Sequence, residues 1–260
     1  MLGRRAPTAW VRLNPENPVP GGMPYTALCT VAPKPEQAAV LAAAQHLIAT
    51  SPALVQKLKT LLPPGREVAL WRPALSRPIW QDVKKGAGLN TNPRVLWIDE
   101  GIAPAWLPEL INETASKITW IVVERAGGQY AGSITRLRTP GDEYGWAREL
   151  SALAPHVLIR PVEAKVETDC YTAMLAAAAG SHLLVDQRLD IPESLGATRI
   201  PNSFAAWREA LLNAVTEGLA GTLARGEMAR AMALELPSVE EFPPPWFEPT
   251  PEALVERAAE

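Results

Sequence analysis

Cysteine and histidine are scarce in this chain of 260 residues, which has two of the first and three of the second. Cys29 and Cys170 stand far apart, so they offer neither metal-ligand spacing nor a disulfide framework. They read as buried free thiols in a reducing compartment. His46, His156 and His182 never fall into HxxxH or HxH spacing, which argues against a histidine metal site. A basic excess is missing too. The formal net charge is -3 and no block of Lys and Arg stands out, so nucleic acid is not an expected partner. No window approaches the roughly 18 apolar residues that cross a bilayer. The arginines Arg4 and Arg5 have no apolar run behind them, so the start is not a secretory signal. These absences predict a soluble, cytoplasmic protein without a metal or cofactor.

Hydrophobic residues, by contrast, make up 47% of the chain, enough for a sizeable core. Proline is abundant at 26 residues and clusters at Pro15–Pro35, Pro63–Pro78 and Pro237–Pro251. Such clusters punctuate rather than build elements. They suggest an extended arm over 1–24, an α/β portion over 25–90, a main domain over 91–235 and a Pro-rich tail over 236–260. The tail either wraps its own domain, with Trp246 and Phe247 as anchors, or docks a partner.

Between the punctuation, short apolar runs alternate with helical segments. Strands are expected at 25–31, 46–50, 67–71, 94–98, 119–123, 157–160, 182–186 and 197–200. Helices are expected at 35–45, 53–62, 105–116, 143–154, 168–179, 203–217 and 219–234. Ser51 with Pro52, and Ser203, supply helix starts. The stretches 72–92 and 125–142 read as loops, the second rich in glycine. Continuous apolar strands alternating with helices predict an α/β fold, a doubly wound Rossmann-like parallel sheet covered on both faces. Ligands of such sheets bind at the carboxyl ends of the strands, here the loops after Ile98, Val123, Arg160 and Asp186.

Two of those loops carry candidate contacts for a nucleotide. Gly127 and Gly128 follow the 119–123 strand, and glycines there let backbone N–H groups approach a phosphate. Their spacing is not GxGxxG, so a plain turn is the competing reading. After the 157–160 strand come Arg160, Glu163, Lys165, Thr168 and Asp169, beside the start of the next helix. A helix start favours an anion, though Thr168 and Asp169 serve equally as ordinary caps. The following helix, from Cys170 to Ala179, is small and apolar and stops at Gly180, as expected of a helix packed closely on the sheet.

The ordered series of segments from Ala49 to about Val215 resembles the group-1, retaining GT-B glycosyltransferases. HLIATSPALVQKL at His46–Leu58 is similar to the strand and S-T-P-L helix that close that family's first domain. VALWRPALSRPIW at Val68–Trp80 resembles its interdomain phrase V-I-P-N-A-L-D. Val157–Gly180 is similar to D-I-x-L-x-P-L-E followed by the E-Y-A-A-L-G helix. Pro201, Asn202 and Trp207 resemble the later x-V-x-N and W-x-x-A-L elements.

The resemblance implies a donor-type half with a reduced N-terminal portion, and a nucleotide-sugar as substrate. Arg160, Lys165 and the glycine loop would stabilise the leaving diphosphate. It also places Leu175 where the family has a ribose-binding glutamate, Thr172 where it has a lysine, and Pro73 at its interdomain asparagine. Leucine cannot accept hydrogen bonds from ribose hydroxyls. Two functions follow: a sugar transferase, or a catalytically inactive glycosyltransferase-like subunit that joins a protein partner or its own copy through 1–24 and 237–260. Another Rossmann-like nucleotide binder is the third reading.

Overall fold

The computed structural model describes residues 10–12, 25–29, 33–71, 74–83, 92–99, 103–124, 134–140, 142–163, 170–217, 219–238 and 241. They fall into two units, one built from the residues up to Trp71 and the other from Ala74 to Ser238.

The first unit is a four-stranded parallel sheet of β1 (Trp10–Arg12), β2 (Tyr25–Cys29), β3 (His46–Ala49) and β4 (Ala69–Leu70), in that order. The expected arm therefore contributes a strand, because Trp10–Arg12 pairs with Tyr25–Ala27. A short 3-10 turn runs into α1 (Ala38–Ala42), and α2 (Pro52–Leu61) starts as the sequence suggests. The Ser51 hydroxyl accepts the Leu54 N–H at 3.2 Å, and Pro52 occupies a first-turn position that needs no N–H. Leu41, Leu47, Leu54 and Leu58 close a core over this sheet. Burial there pushes the Cys29 thiol up to about 11, and both cysteines are free.

The second unit is a six-stranded, wholly parallel sheet. Its strands are β5 (Arg94–Ile98), β6 (Thr119–Glu124), β7 (Ile134–Arg138), β8 (Val157–Arg160), β9 (His182–Asp186) and β10 (Thr198–Ile200). They lie in the order β7-β6-β5-β8-β9-β10. Alternate residues of the central strands enter two different cores. Val95, Trp97, Trp120, Val122 and Ile159 face α4 (Leu107–Thr114) and α7 (Phe204–Leu212). Leu96, Ile121, Leu158 and Val185 face α5 (Glu143–Leu153) and α6 (Tyr171–Ala178). Both faces are apolar, so each strand reads as a continuous hydrophobic run.

Several elements differ from expectation, each for a physical reason. β7 lies inside the expected loop 125–142. Its sequence, ITRLR, is mostly exposed, as suits an edge strand carrying Arg136 and Arg138. The expected loop 72–92 contains α3 (Arg77–Gln81), held by the wholly buried Trp80. The Glu143 carboxylate accepts both the Trp80 indole N–H and the Ser76 N–H at 2.6 Å. The helix expected from Thr168 begins, among the described residues, at Tyr171 with Cys170 at its cap position. Cys170 is buried there, its sulfur 3.5 Å from that of Met174. The expected helix 203–217 breaks into α7 and a π-helical turn, Asn213–Glu217. The Thr222 hydroxyl accounts for the break's loose carbonyl, donating to Ala214 O at 2.7 Å.

The last helix, α8 (Leu219–Glu235), packs through Thr222, Gly226, Ala229 and Ala233. These small residues let it approach the turn between α6 and β9 closely. A β-carbon at Gly226 would sit 2.1 Å from the Gly180 carbonyl oxygen. Gly180 itself has φ +88°, the left-handed stop expected of it. Arg230 fastens the helix, donating to Ala178 O at 2.5 Å and to Trp80 O at 2.8 Å.

Candidate functional site

Strand order in the larger sheet reverses between β5 and β8, because the chain winds outward to β7 and then returns to place β8 on the other side of β5. The loops leaving those two strands diverge to opposite faces, which opens a crevice at their carboxyl ends. The candidate site is built around this point.

Glu163, after β8, reaches across to the segment after β5, where its carboxylate accepts the Ala105 N–H at 3.2 Å. Arg160 ends β8 and is buried, 5% exposed. Asp186 ends β9 and is wholly buried. Arg188, two residues on, grips both its oxygens, with Nε 2.8 Å from Oδ1 and the terminal nitrogen 2.9 Å from Oδ2. The Arg188 backbone N–H adds a third bond to Oδ1 at 2.9 Å. The same guanidinium donates to Val162 O at 2.6 Å, which ties the end of β9 to the loop after β8. Hydrogen bonding to Asp186 raises the Arg188 pKa above its ordinary value, so this cation is permanent. Asn202, after β10, completes the cluster. With its amide turned to match its neighbours, it accepts from Arg188 at 2.9 Å and donates to Val162 O at 3.2 Å.

Of the residues singled out from sequence, Arg160 and Glu163 thus stand together at the crevice. Gly127, Gly128, Lys165, Thr168 and Asp169 lie outside the described residues. Asp186 and Arg188 were not among the sequence candidates. A carboxylate at a strand end with an arginine two residues on is their only local signal, and it is a weak one. Leu175, at the place of the family's ribose-binding glutamate, is fully buried in the core between α6 and the sheet. Among the described residues no group of His, Cys, Asp and Glu could hold a metal ion, and no helix is long and apolar enough to cross a membrane.

No family model matches the chain. None of the curated proteins matches it either. Solved structures do. The Anabaena protein HepE, in complex with UDP and glucose, matches over 92% of this chain and 72% of its own, with a TM-score of 0.62 at 11% identity. Sucrose-phosphate synthase from Thermosynechococcus elongatus matches over 84% of this chain and 65% of its own, with a TM-score of 0.58 at 16% identity. The pneumococcal O-GlcNAc transferase GtfA, in complex with UDP and GlcNAc, matches over 82% and 51%, with a TM-score of 0.52 at 10% identity. The chain has the GT-B glycosyltransferase fold. The mixed α/β architecture with parallel sheets expected from sequence is that of this GT-B fold. At such identities the likeness is one of fold alone. The chain spans about two thirds of sucrose-phosphate synthase and about half of GtfA.

Proposed function

We propose that this protein transfers a sugar from a nucleoside-diphosphate sugar, with the donor lying in the crevice at the β5–β8 switch point. The supporting observation is the polar cluster there, in which Glu163 bridges the loops after β5 and β8 and Arg188 clamps the ends of β8 and β9. Such a preformed frame would hold Arg160 at the end of β8, and a leaving diphosphate needs positive charge, to which Lys165, five residues on in the sequence, would add. HepE and GtfA, solved with UDP, lend the reading its choice of donor. No protein-bound cofactor takes part, since the nucleotide-sugar is itself the substrate. The buried free thiols Cys29 and Cys170 fit a cytoplasmic protein.

The test is a thermal-shift panel of UDP, UDP-glucose, UDP-GlcNAc and other nucleotide-sugars on the full chain, paired with an assay for nucleotide release. At a ligand concentration about 100 times Kd, binding stabilises by about 2.7 kcal/mol. That corresponds to several degrees in Tm for a chain of this size. Turnover with a shift supports the reading, and no shift across the panel at millimolar ligand refutes it.

A second reading, a non-catalytic GT-B subunit of an assembly, is favoured by Leu175. An apolar side chain sealed in the core cannot hold a ribose. On this reading, deleting 1–24 or 237–260 abolishes a complex while the larger unit stays folded. A truncated chain that still assembles counts against it.

A further inference from the structure

At the opposite edge of the larger sheet lies a cleft of about 350 Å³. Its floor is the amino ends of β9 and β10, where His182 and Thr198 are the first strand residues. Its wall is the π-helical turn and the first turns of α8, with Asn213, Thr222 and Arg225 on the lining. The strand β9 separates it from the crevice by its five residues, about 16 Å of extended chain.

Two departures from ordinary sequence–structure logic, and a third feature of the lining, converge on this one place. First, His182 is a polar residue, 1% exposed, at the start of a buried strand and followed by the apolar Leu183, Leu184 and Val185. Its Nε2 lies 2.9 Å from the Thr198 hydroxyl, and its buried Nδ1 finds no hydrogen-bond partner. Second, the helix wall adopts the π form, a rare geometry found mostly at functional positions. Third, Arg225 and Asn213 line the cleft, and neither side chain has a hydrogen-bond or ion-pair partner among the described residues. Burial, helped by the nearby charge of Arg225, pushes the His182 pKa down to about 4 and holds the imidazole neutral. Natural proteins break local rules where function requires it.

We propose that this cleft is a second ligand site, built for a small organic anion bearing a carboxylate or phosphate group, gripped by Arg225, Asn213 and the Thr198 hydroxyl. Neutral His182 sets the hydroxyl's direction. An orphaned buried N–H is rarer than an orphaned acceptor, so the proton sits on Nε2 and is donated to Thr198 Oγ1. The Thr198 hydrogen is then free to point at the anion. Among the described residues Arg225 is the one charged side chain on the lining, and it brings positive charge to the cleft. Leu184, Ala210 and Ala214 supply an apolar side for the ligand's carbon skeleton. The volume lies at the low end of small-molecule pockets, about 300–1,000 Å³, which suits a metabolite-sized anion. The site does not depend on nucleotide binding at the other edge.

The experiment is a titration of the full, isotopically labelled chain with inorganic phosphate and with succinate, read on the ring nitrogens of its three histidines by NMR. The expected result is a saturable shift of the His182 ring with at least one probe, absent with chloride at matched ionic strength. The probe that acts tells phosphate recognition from carboxylate recognition. Arg225 is exposed, so Arg225→Gln leaves the fold intact and should weaken binding by at least about tenfold. Thr198→Val should do the same, whereas Arg148→Gln on exposed α5 surface should not. A His182 ring that ignores both probes at about 50 mM, far above a millimolar Kd, overturns the proposal. So does an Arg225→Gln variant that titrates like the native chain.

Discussion

Two glycines in one helix make opposite predictions. Gly221 and Gly226 both lie in α8 with ordinary helical backbone. A β-carbon at Gly221 meets nothing within 4 Å, so Gly221→Ala gains helix propensity alone and should stabilise by up to about 1 kcal/mol. At Gly226 the same propensity gain is opposed by a collision. The new carbon would lie 2.1 Å from Gly180 O and 3.0 Å from Gly180 C, both backbone atoms that cannot rotate away. Relief needs α8 to retreat by about 1 Å or more, since carbon packs at about 3.5–4.0 Å. Overpacking of that kind costs about 1–3 kcal/mol. Retreat also stretches the Arg230 bonds to Ala178 O and Trp80 O, and bonds from a charged group are worth about 1.5–3 kcal/mol each. We expect Gly226→Ala to destabilise by about 3 kcal/mol after the propensity gain is subtracted. Urea unfolding followed by tryptophan fluorescence reports it, because Trp80, Trp120 and Trp207 are buried in the same unit. The midpoint should fall for Gly226→Ala and rise for Gly221→Ala at unchanged slope. A Gly226→Ala protein as stable as the native one would refute the close approach of α8 to the α6–β9 turn.

Acid should destabilise the chain through His182, whose folded pKa of about 4 is depressed from 6.5. Above about pH 6.5 both states are neutral and the group is silent. As pH falls from there to about 4 the unfolded state takes up the proton first, and about 3 kcal/mol is lost. His182→Gln should flatten that part of the stability–pH curve, and an unchanged curve would count against the buried neutral ring. Glu143→Ala strands the buried Trp80 indole N–H and should cost about 1–3 kcal/mol, measurable by denaturation. Arg188→Ala leaves the Asp186 carboxylate buried and unpaired, an expected loss of about 3–5 kcal/mol. Arg188→Lys should not restore it, since an ammonium cannot bridge both oxygens and Val162 O; full recovery with lysine would contradict the clamp.

The fold was legible wherever local signals and tertiary packing agree. Ser51 and Ser203 both cap helices as their sequence context implies. The apolar runs at β5, β6, β8 and β9 are unambiguous because both faces are covered. Legibility failed where packing overrides composition. The α3 turn sits among prolines and exists because Trp80 and Glu143 lock it from elsewhere in the chain. β7 alternates basic and apolar residues behind a glycine-rich stretch, so it reads as loop until an edge of the sheet recruits it. In the candidate site, Arg160 and Glu163 were singled out from their position at a strand end, and both lie at the carboxyl end of β8. The Asp186–Arg188 clamp was not, because burial turns an unremarkable D-x-R into a fixed ion pair, and burial is a tertiary property.

The burial of Leu175 has a consequence for redesign of the chain. Its side chain is fully buried in a cluster made wholly of apolar side chains from the strands and the helices packed on them. A change to glutamate would place a carboxylate in a hydrocarbon interior, and a buried unpaired charge is among the costliest changes a fold can suffer. Installing a carboxylate at this position by one substitution is therefore opposed by the packing around it.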